Sequence, residues 1–149
     1  MGGLVIALKA PAFRALRKSG LAFIDDIPWG THFCAFYETK EDLLEILIPY
    51  FRAGLENNEY CLWVVSEPFS ILEAAGCLKK ALPSSHLQHM EILPHTEWYL
   101  QDNGFHWEQV VRGWIDKVNY ALARGYDGIR VSGCTAWIHN NYWKKIMEY

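Results

Sequence analysis

The chain has 149 residues, 51% of them hydrophobic and 21% charged, a composition that suits one folded domain and excludes a disordered chain. Lys and Arg total 14 against 17 Asp and Glu, so the basic surplus that phosphate backbones attract is missing and nucleic-acid binding by this segment is not expected. No run approaches the roughly 20 apolar residues of a membrane span, and residues 1–10 carry a short apolar stretch without the basic start of a secretory signal, so the expected location is the cytoplasm.

Residues 1–30 read as irregular, with a short helix over 12–18 stopped by Gly20 and turn chemistry over 25–30. Residues 31–37, Thr-His-Phe-Cys-Ala-Phe-Tyr, read as a short buried strand. Thr39 caps a helix that places Glu41 and Asp42 at the positive end of its dipole and carries Leu43, Leu44, Leu47, Phe51 and Leu55 at helical spacing. Pro49 is expected to kink this helix, and Asn57 and Asn58 to end it. Residues 59–66 are the clearest strand, apolar on both faces, which requires cover on both sides.

Pro68 suits the first turn of a helix over 69–82 that Pro83 stops. A third strand lies within 87–93, and a long loop spans 94–105. Trp107, Val110, Val111, Trp114, Val118, Ala121 and Leu122 form a helical stripe with Gly125 as its C-terminal cap. Trp63, Trp107 and Trp114 are expected at the helix–sheet interface. Residues 126–133 form a fourth strand. Residues 141–149 begin a helix that no stop signal ends, which reads as a chain cut from a longer protein.

Alternating strands and helices predict an α/β fold, a mainly parallel sheet with helices on both faces. In such sheets ligands bind beyond the carboxyl ends of the strands, here residues 37–38, 66–68, 94–99 and 133–137. After the first strand there is no Gly-Lys-Ser/Thr to cradle phosphates, and Glu38, Glu41 and Asp42 would repel a triphosphate. No GxGxxG follows a strand either, so neither ATP hydrolysis nor dinucleotide binding is expected.

His32 and Cys34 share one strand face with Phe36, which is half of a metal site if Cys134 or His95 joins them and otherwise a buried histidine beside core filler. Two ligands at recognisable spacing fall short of the four a closed zinc site wants, so no metal or cofactor is expected. Cys34 or Cys134 as a nucleophile with His32, His95 or His139 is the enzyme alternative, but no local catalytic signature surrounds either thiol. The four cysteines, with no CxxC pair, are expected as reduced, small apolar residues. Glu67 and Glu97 read as an acid/base pair or as solvated surface. Tyr37, Trp98, Tyr99 and Trp137 all fall at strand ends, with His32, Glu67 and Arg130 as polar tips. Such a set walls a small, weakly polar ligand or packs the helix–sheet interface, and for Tyr37 and Trp137 the two readings are evenly matched.

Residues 30–37, Gly-Thr-His-Phe-Cys-Ala-Phe-Tyr, with Glu38 and the helix after it, resemble the start of the MEDS domain, the methanogen/methylotroph DcmR-type sensory domain. The likeness continues through Glu67-Pro68, Glu97-Trp98-Tyr99 and residues 125–130 to Trp137. The resemblance implies a degenerate RecA-like layer without its P-loop, divided into a lead segment over 1–20 and a sensory domain over 21–149. It implies a sensor rather than an enzyme. Such domains stand ahead of PAS and histidine-kinase modules or beside helix-turn-helix regulators, and are proposed to sense simple hydrocarbon or methylated and halogenated one-carbon derivatives. The expected ligand-binding residues are His32, Phe36, Tyr37, Glu67, Trp98, Tyr99, Arg130 and Trp137, with hydrogen bonds from His32 and Tyr37. Expected partners are a small organic ligand, an output module in the same chain and a second copy of the chain. Cys134 departs from the polar or acidic residue expected there, which bears on specificity. The rival reading is an interaction or dimerisation module whose rings form an interface.

Overall fold

The computed structural model describes residues 2–8, 16–101, 104–134 and 137. In chain order its elements are β1 (Gly2–Leu8), β2 (Leu16–Arg17), β3 (Ile27–Pro28), β4 (His32–Phe36), α1 (Lys40–Glu56), β5 (Glu59–Val65), α2 (Ile71–Ala81), α3 (Ser84–Leu87), β6 (Met90–Pro94), α4 (His95–Trp98), β7 (Leu100–Gln101), β8 (Gly104–Phe105), α5 (Trp107–Ala123) and β9 (Gly128–Cys134).

The main sheet has the order β4-β1-β9-β5-β6. β5 pairs in parallel with β9 on one side and β6 on the other. β1 is antiparallel to both β4 and β9. The fold is α/β as read, but the parallel character is confined to three neighbouring strands, because β1 separates β4 from the rest. Residues 2–8 are therefore a strand and not part of an irregular lead. A short apolar run without alternation carries no period of its own, and its pairing partners decide its state.

Every residue of β5 is buried. Cys61, Trp63 and Val65 pack with Leu47 and Phe51 of α1 and Leu78 of α2 on one face. Tyr60, Leu62 and Val64 pack with Val110, Trp114 and Ala121 of α5 on the other. Helices thus cover both faces, as the two-sided apolar pattern required. No helix among the described residues is long and apolar enough to cross a membrane.

Local chemistry sets the helix ends. Thr39 and Asp42 form a reciprocal capping box at the start of α1, which runs to Glu56 as one helix across Pro49. A second box, Ser70 with Glu73, starts α2 at Ile71, later than read, and Pro68 stays in the turn ahead after a cis bond to Glu67. Lys40 is not merely solvated: its ammonium lies 2.8 Å from Glu73 and ties the two helix starts together. Residues 94–105 are not one loop but the short helix α4 followed by the β7–β8 hairpin. Leu16 and Arg17 pair with β3 instead of helping to form a helix. β4 is an edge strand with alternate residues exposed, not a buried one. Trp107, the first residue of α5, is 48% exposed and lies outside the interface assigned to it. Residues 12–15, His139 and the helix expected over 141–149 lie outside the described residues.

Arg130 ties these elements together. Its side chain is fully buried on β9. Nε and Nη2 donate to the two oxygens of Glu59 at 2.8 and 3.0 Å. Nη1 donates to the carbonyls of Tyr50 at 2.7 Å and Ser19 at 3.0 Å, and Nη2 also to that of Lys18 at 2.9 Å. All five guanidinium N–H groups are used. Glu59 also takes Arg17 Nε at 3.3 Å, and Arg17 reaches Asp127 and the Asn57 carbonyl. Gly54 of α1 makes the room: a Cβ there would lie 2.7 Å from Arg130 Cδ. Residues 17–19 are thereby bound into the same folding unit as β5 and β9.

Replacing Arg130 with Leu leaves Glu59 buried beside only the longer Arg17 contact. Breaking a buried pair from one side costs about 3–5 kcal/mol, so R130L is expected to lower the free energy of unfolding by about that much, whereas Lys79→Ala on the exposed side of α2 changes it by less than about 0.5 kcal/mol. Equilibrium unfolding followed by circular dichroism measures both.

Candidate functional site

The carboxyl ends of β4, β5, β6 and β9 lead into Tyr37, Ser66, His95 and the residues after Cys134. The Tyr37 hydroxyl and the Cys134 thiol lie 3.0 Å apart, and the thiol points at the Glu67 carbonyl at 3.7 Å. Burial, with the Cys134 hydrogen bond and charge adding to it, pushes the Tyr37 phenol well above its ordinary value, so it stays protonated and able to donate.

On the other face of the sheet stands a group of rings. The Trp137 indole lies nearly parallel to two rings, that of His95, with centroids 6.0 Å apart at 22°, and that of Tyr99, at 4.9 Å and 21°. Phe105 of β8 borders it at 6.0 Å. His95 opens α4 and Tyr99 ends it, one turn apart, with the Tyr99 N–H donating to the His95 carbonyl at 2.7 Å. That spacing brings the two side chains to one side of the turn. The Tyr99 hydroxyl presses on the Gly133 backbone, where a Cβ would sit 2.5 Å from it, so only glycine fits at that step of β9. Burial pushes His95 below the ordinary imidazole value, opposed by a hydrogen bond with the Val65 backbone and by the Glu67 charge.

Of the residues singled out from the sequence, Tyr37 and Glu67 therefore lie at this end of the sheet with Cys134, and Tyr99 and Trp137 lie together at the same end on the other face. Trp98 does not join that group. It packs on Trp114 at 4.3 Å and against Gly113, beneath α5, where its Nε1 has no hydrogen-bond partner. Arg130 is not a ligand tip, since its donors are all spent and it lies four residues, about 13 Å along a strand, from the end of β9. His32 sits as far back on β4, exposed, and Phe36 is 80% exposed on the same outer face. An edge strand covered on only one face sends alternate residues to solvent.

His95, Cys134 and Phe105 join the site instead. The first two fell within the strand-end windows but were weighed only as ligands or reactive groups; Phe105 was hidden because its hairpin read as loop. Among the described residues no three His, Cys, Asp or Glu side chains gather as a metal site. The backbone N–H groups of Glu38 and Thr39 already donate to the Asp42 carboxylate, at 3.1 and 2.9 Å, so the start of α1 is occupied by its own anion. Hollows lined by described residues lie elsewhere: one of about 810 Å³ between residues 18–26 and the second half of α1, and one of about 330 Å³ beside it near Phe23 and Ile46. The rings at the carboxyl ends pack on one another.

His95 is neutral more readily in the folded chain than in the unfolded one, where its value is the ordinary 6.5. As pH falls, the unfolded chain takes up the proton first. The stability His95 contributes is thus complete above about pH 6.5 and is lost on acidification through its lower folded value. Nuclear magnetic resonance should find the ring titrating below 6.5, and His95→Phe should remove this part of the acid sensitivity.

A family model for the methanogen/methylotroph, DcmR sensory domain matches residues 31–149. No curated protein and no solved structure matches the chain. All the residues gathered at the carboxyl ends fall inside the matched stretch, whereas β1 and residues 17–19 precede it. The chain belongs to the MEDS family of sensory domains, the family that its ordered motifs from Gly30 to Trp137 resemble.

Proposed function

We propose that this chain is the input domain of a cytoplasmic signalling protein, not an enzyme, and that it binds a simple hydrocarbon or methylated one-carbon derivative at the carboxyl ends of its strands. The observation that carries this reading is the set of rings and polar groups at the carboxyl ends of the strands, the Tyr37 hydroxyl and Cys134 thiol with the Glu67 carbonyl on one face of the sheet and Trp137 with Tyr99 and His95 on the other. A protonated phenol and an imidazole biased to neutrality offer hydrogen bonds without charge. That chemistry suits a small, weakly polar molecule. The Cys134 thiol rests against a phenol and a carbonyl, which favours a binding wall over a nucleophile. The scaffold is a degenerate RecA-like layer in this reading, its phosphate cradle replaced by the Thr39–Asp42 capping box. The signal passes to a PAS, histidine-kinase or DNA-binding module of the same protein, and it requires that ligand bind two states of the domain unequally.

Titration with methanol, methylamine and dichloromethane tests the site. At least one should shift Tyr37 and Tyr99 resonances, and Tyr37→Phe should weaken that binding by up to about tenfold, the worth of one hydrogen bond. Binding that is indifferent to Tyr37, or none, refutes the assignment.

A second reading is favoured by one observation, the β4 edge. It carries Phe36 at 80% exposure with His32 and Cys34 beside it, and no strand among the described residues pairs its outer side. Such an edge is self-complementary for antiparallel pairing. A second copy joined about Cys34 would set Cys34 opposite Cys34, so mild oxidation should yield a disulfide-linked dimer that Cys34→Ser abolishes. A monomer under oxidation, seen by non-reducing electrophoresis, removes this reading.

A further inference from the structure

We infer that one stripe of α1, with the segment that leads into β3, docks a basic amphipathic segment of a partner protein. The inference goes beyond the ligand site at the carboxyl ends and does not depend on it. Two hollows flank the place where Gly20 abuts Pro49, one of about 810 Å³ toward the end of α1 and one of about 330 Å³ toward its start. Their floors are successive parts of one helical stripe. Asp42, Ile46, Pro49, Ala53 and Glu56 follow one another along it at steps of three and four residues. The stripe runs about 21 Å, the length of about 14 helical residues. Both hollows open to solvent, which suits a chain segment better than a small molecule that needs enclosure over most of its surface.

The facing wall is built in advance. Arg130 holds the carbonyls of Lys18 and Ser19. The Ser19 hydroxyl donates to the Ile24 carbonyl and accepts the Leu21 N–H at 3.0 Å, which folds residues 19–24 back on themselves. Gly20, at φ +81°, lies so close to the helix that a Cβ would overlap the Pro49 carbonyl. A wall fixed before the partner arrives costs little ordering on binding. Phe23 stands on the rim of the smaller hollow, 79% exposed and outside both core clusters. An aromatic so placed is the anchor that interfaces favour.

Charge sets the sign of the partner. Asp25, Asp26 and Glu56 line the larger hollow with Lys18 and Arg52. Arg52 is turned to the Ala81 carbonyl at 2.8 Å. Asp42 and Glu45 line the smaller one, with no cation among the described residues. Pro49 has no N–H to give the Glu45 carbonyl, so the stripe holds one more acceptor and one donor fewer. Lys or Arg side chains therefore complement this surface, and the apolar residues between them meet Leu21, Phe23, Ile46 and Ala53. A second copy of the chain, at net charge -3, brings no basic surplus, and nucleic acid and anionic membranes are repelled. The wall over residues 18–26 precedes the stretch that the family model matches.

Fluorescence anisotropy on the whole chain tests this. The probe is a labelled helical peptide of about 14 residues, Leu on one face and Lys on the other, and its counterpart carries Glu in place of Lys. The Lys peptide should bind at least about tenfold more tightly than the Glu peptide. Phe23→Ala should weaken its binding by about tenfold. Asp25→Asn with Asp26→Asn should weaken it by about fivefold, whereas Glu108→Gln with Asp116→Asn on α5, an equal change of net charge across the sheet, should alter it by less than about twofold. All five side chains are exposed, so the variants keep their fold, which circular dichroism verifies. Equal binding of the two peptides, indifference to Phe23, or an equal loss from the α5 pair overturns the docking site. One-carbon compounds that bind through Tyr37 while the Lys peptide does not bind would leave the sensory reading standing and this inference refuted. Peptide binding that needs Phe23, in a chain that takes up none of those compounds, would do the reverse.

Discussion

A buried guanidinium with every donor satisfied is the constraint on which the rest of this structure depends. Arg130 needs five acceptors, and it collects them from β5, α1 and the segment before β3. A charge in this position is tolerated only if all of these elements sit in one arrangement. The pair with Glu59 is therefore better understood as selecting a single packing than as adding net stability. It demands a glycine at 54, and it holds residues 17–19 against the amino half of the sheet. A family match that begins at residue 31 leaves these residues out, yet the fold draws on them.

The two ends of the sheet follow different physics. Near the amino ends, Arg17, Glu59, Asp127 and Arg130 form an ionic network whose members have no substitutes. At the carboxyl ends the contacts are rings, a thiol and hydroxyls, with a phenol kept protonated and an imidazole biased to neutrality. Ring contacts are nearly indifferent to which flat apolar surface supplies them; a bidentate ion pair is not.

The start of α1 shows how few atoms separate two kinds of site. Backbone N–H groups at a helix start accept an anion readily. Here Asp42 supplies that anion from within the chain, through the same capping box that positions the helix. Local stability and the neutralisation of these N–H groups are consequences of one side chain.

Much of this was legible in the residues. Alternating strands and helices, the two-sided apolar strand at 59–65, the Thr39 cap and the α5 stripe are local signals, and they placed the layers and the strand ends. Tyr37, Glu67, Tyr99 and Trp137 lie at or just past strand ends, as read, because strand ends are countable from the sequence. Arg130, His32, Phe36 and Trp98 were misplaced for one shared reason: whether a polar or aromatic residue faces a pocket, a helix or solvent depends on which neighbour lies across the sheet. The same holds for β1, whose apolar run has no period and becomes a strand only between β4 and β9. Sequence by itself determined the class of fold, the helix caps and where the strands end, since these follow from spacing along the chain. Only the tertiary structure decided that Arg130 is bound by backbone carbonyls and that Trp137 packs near His95 and Tyr99, because both arrangements join residues far apart in sequence.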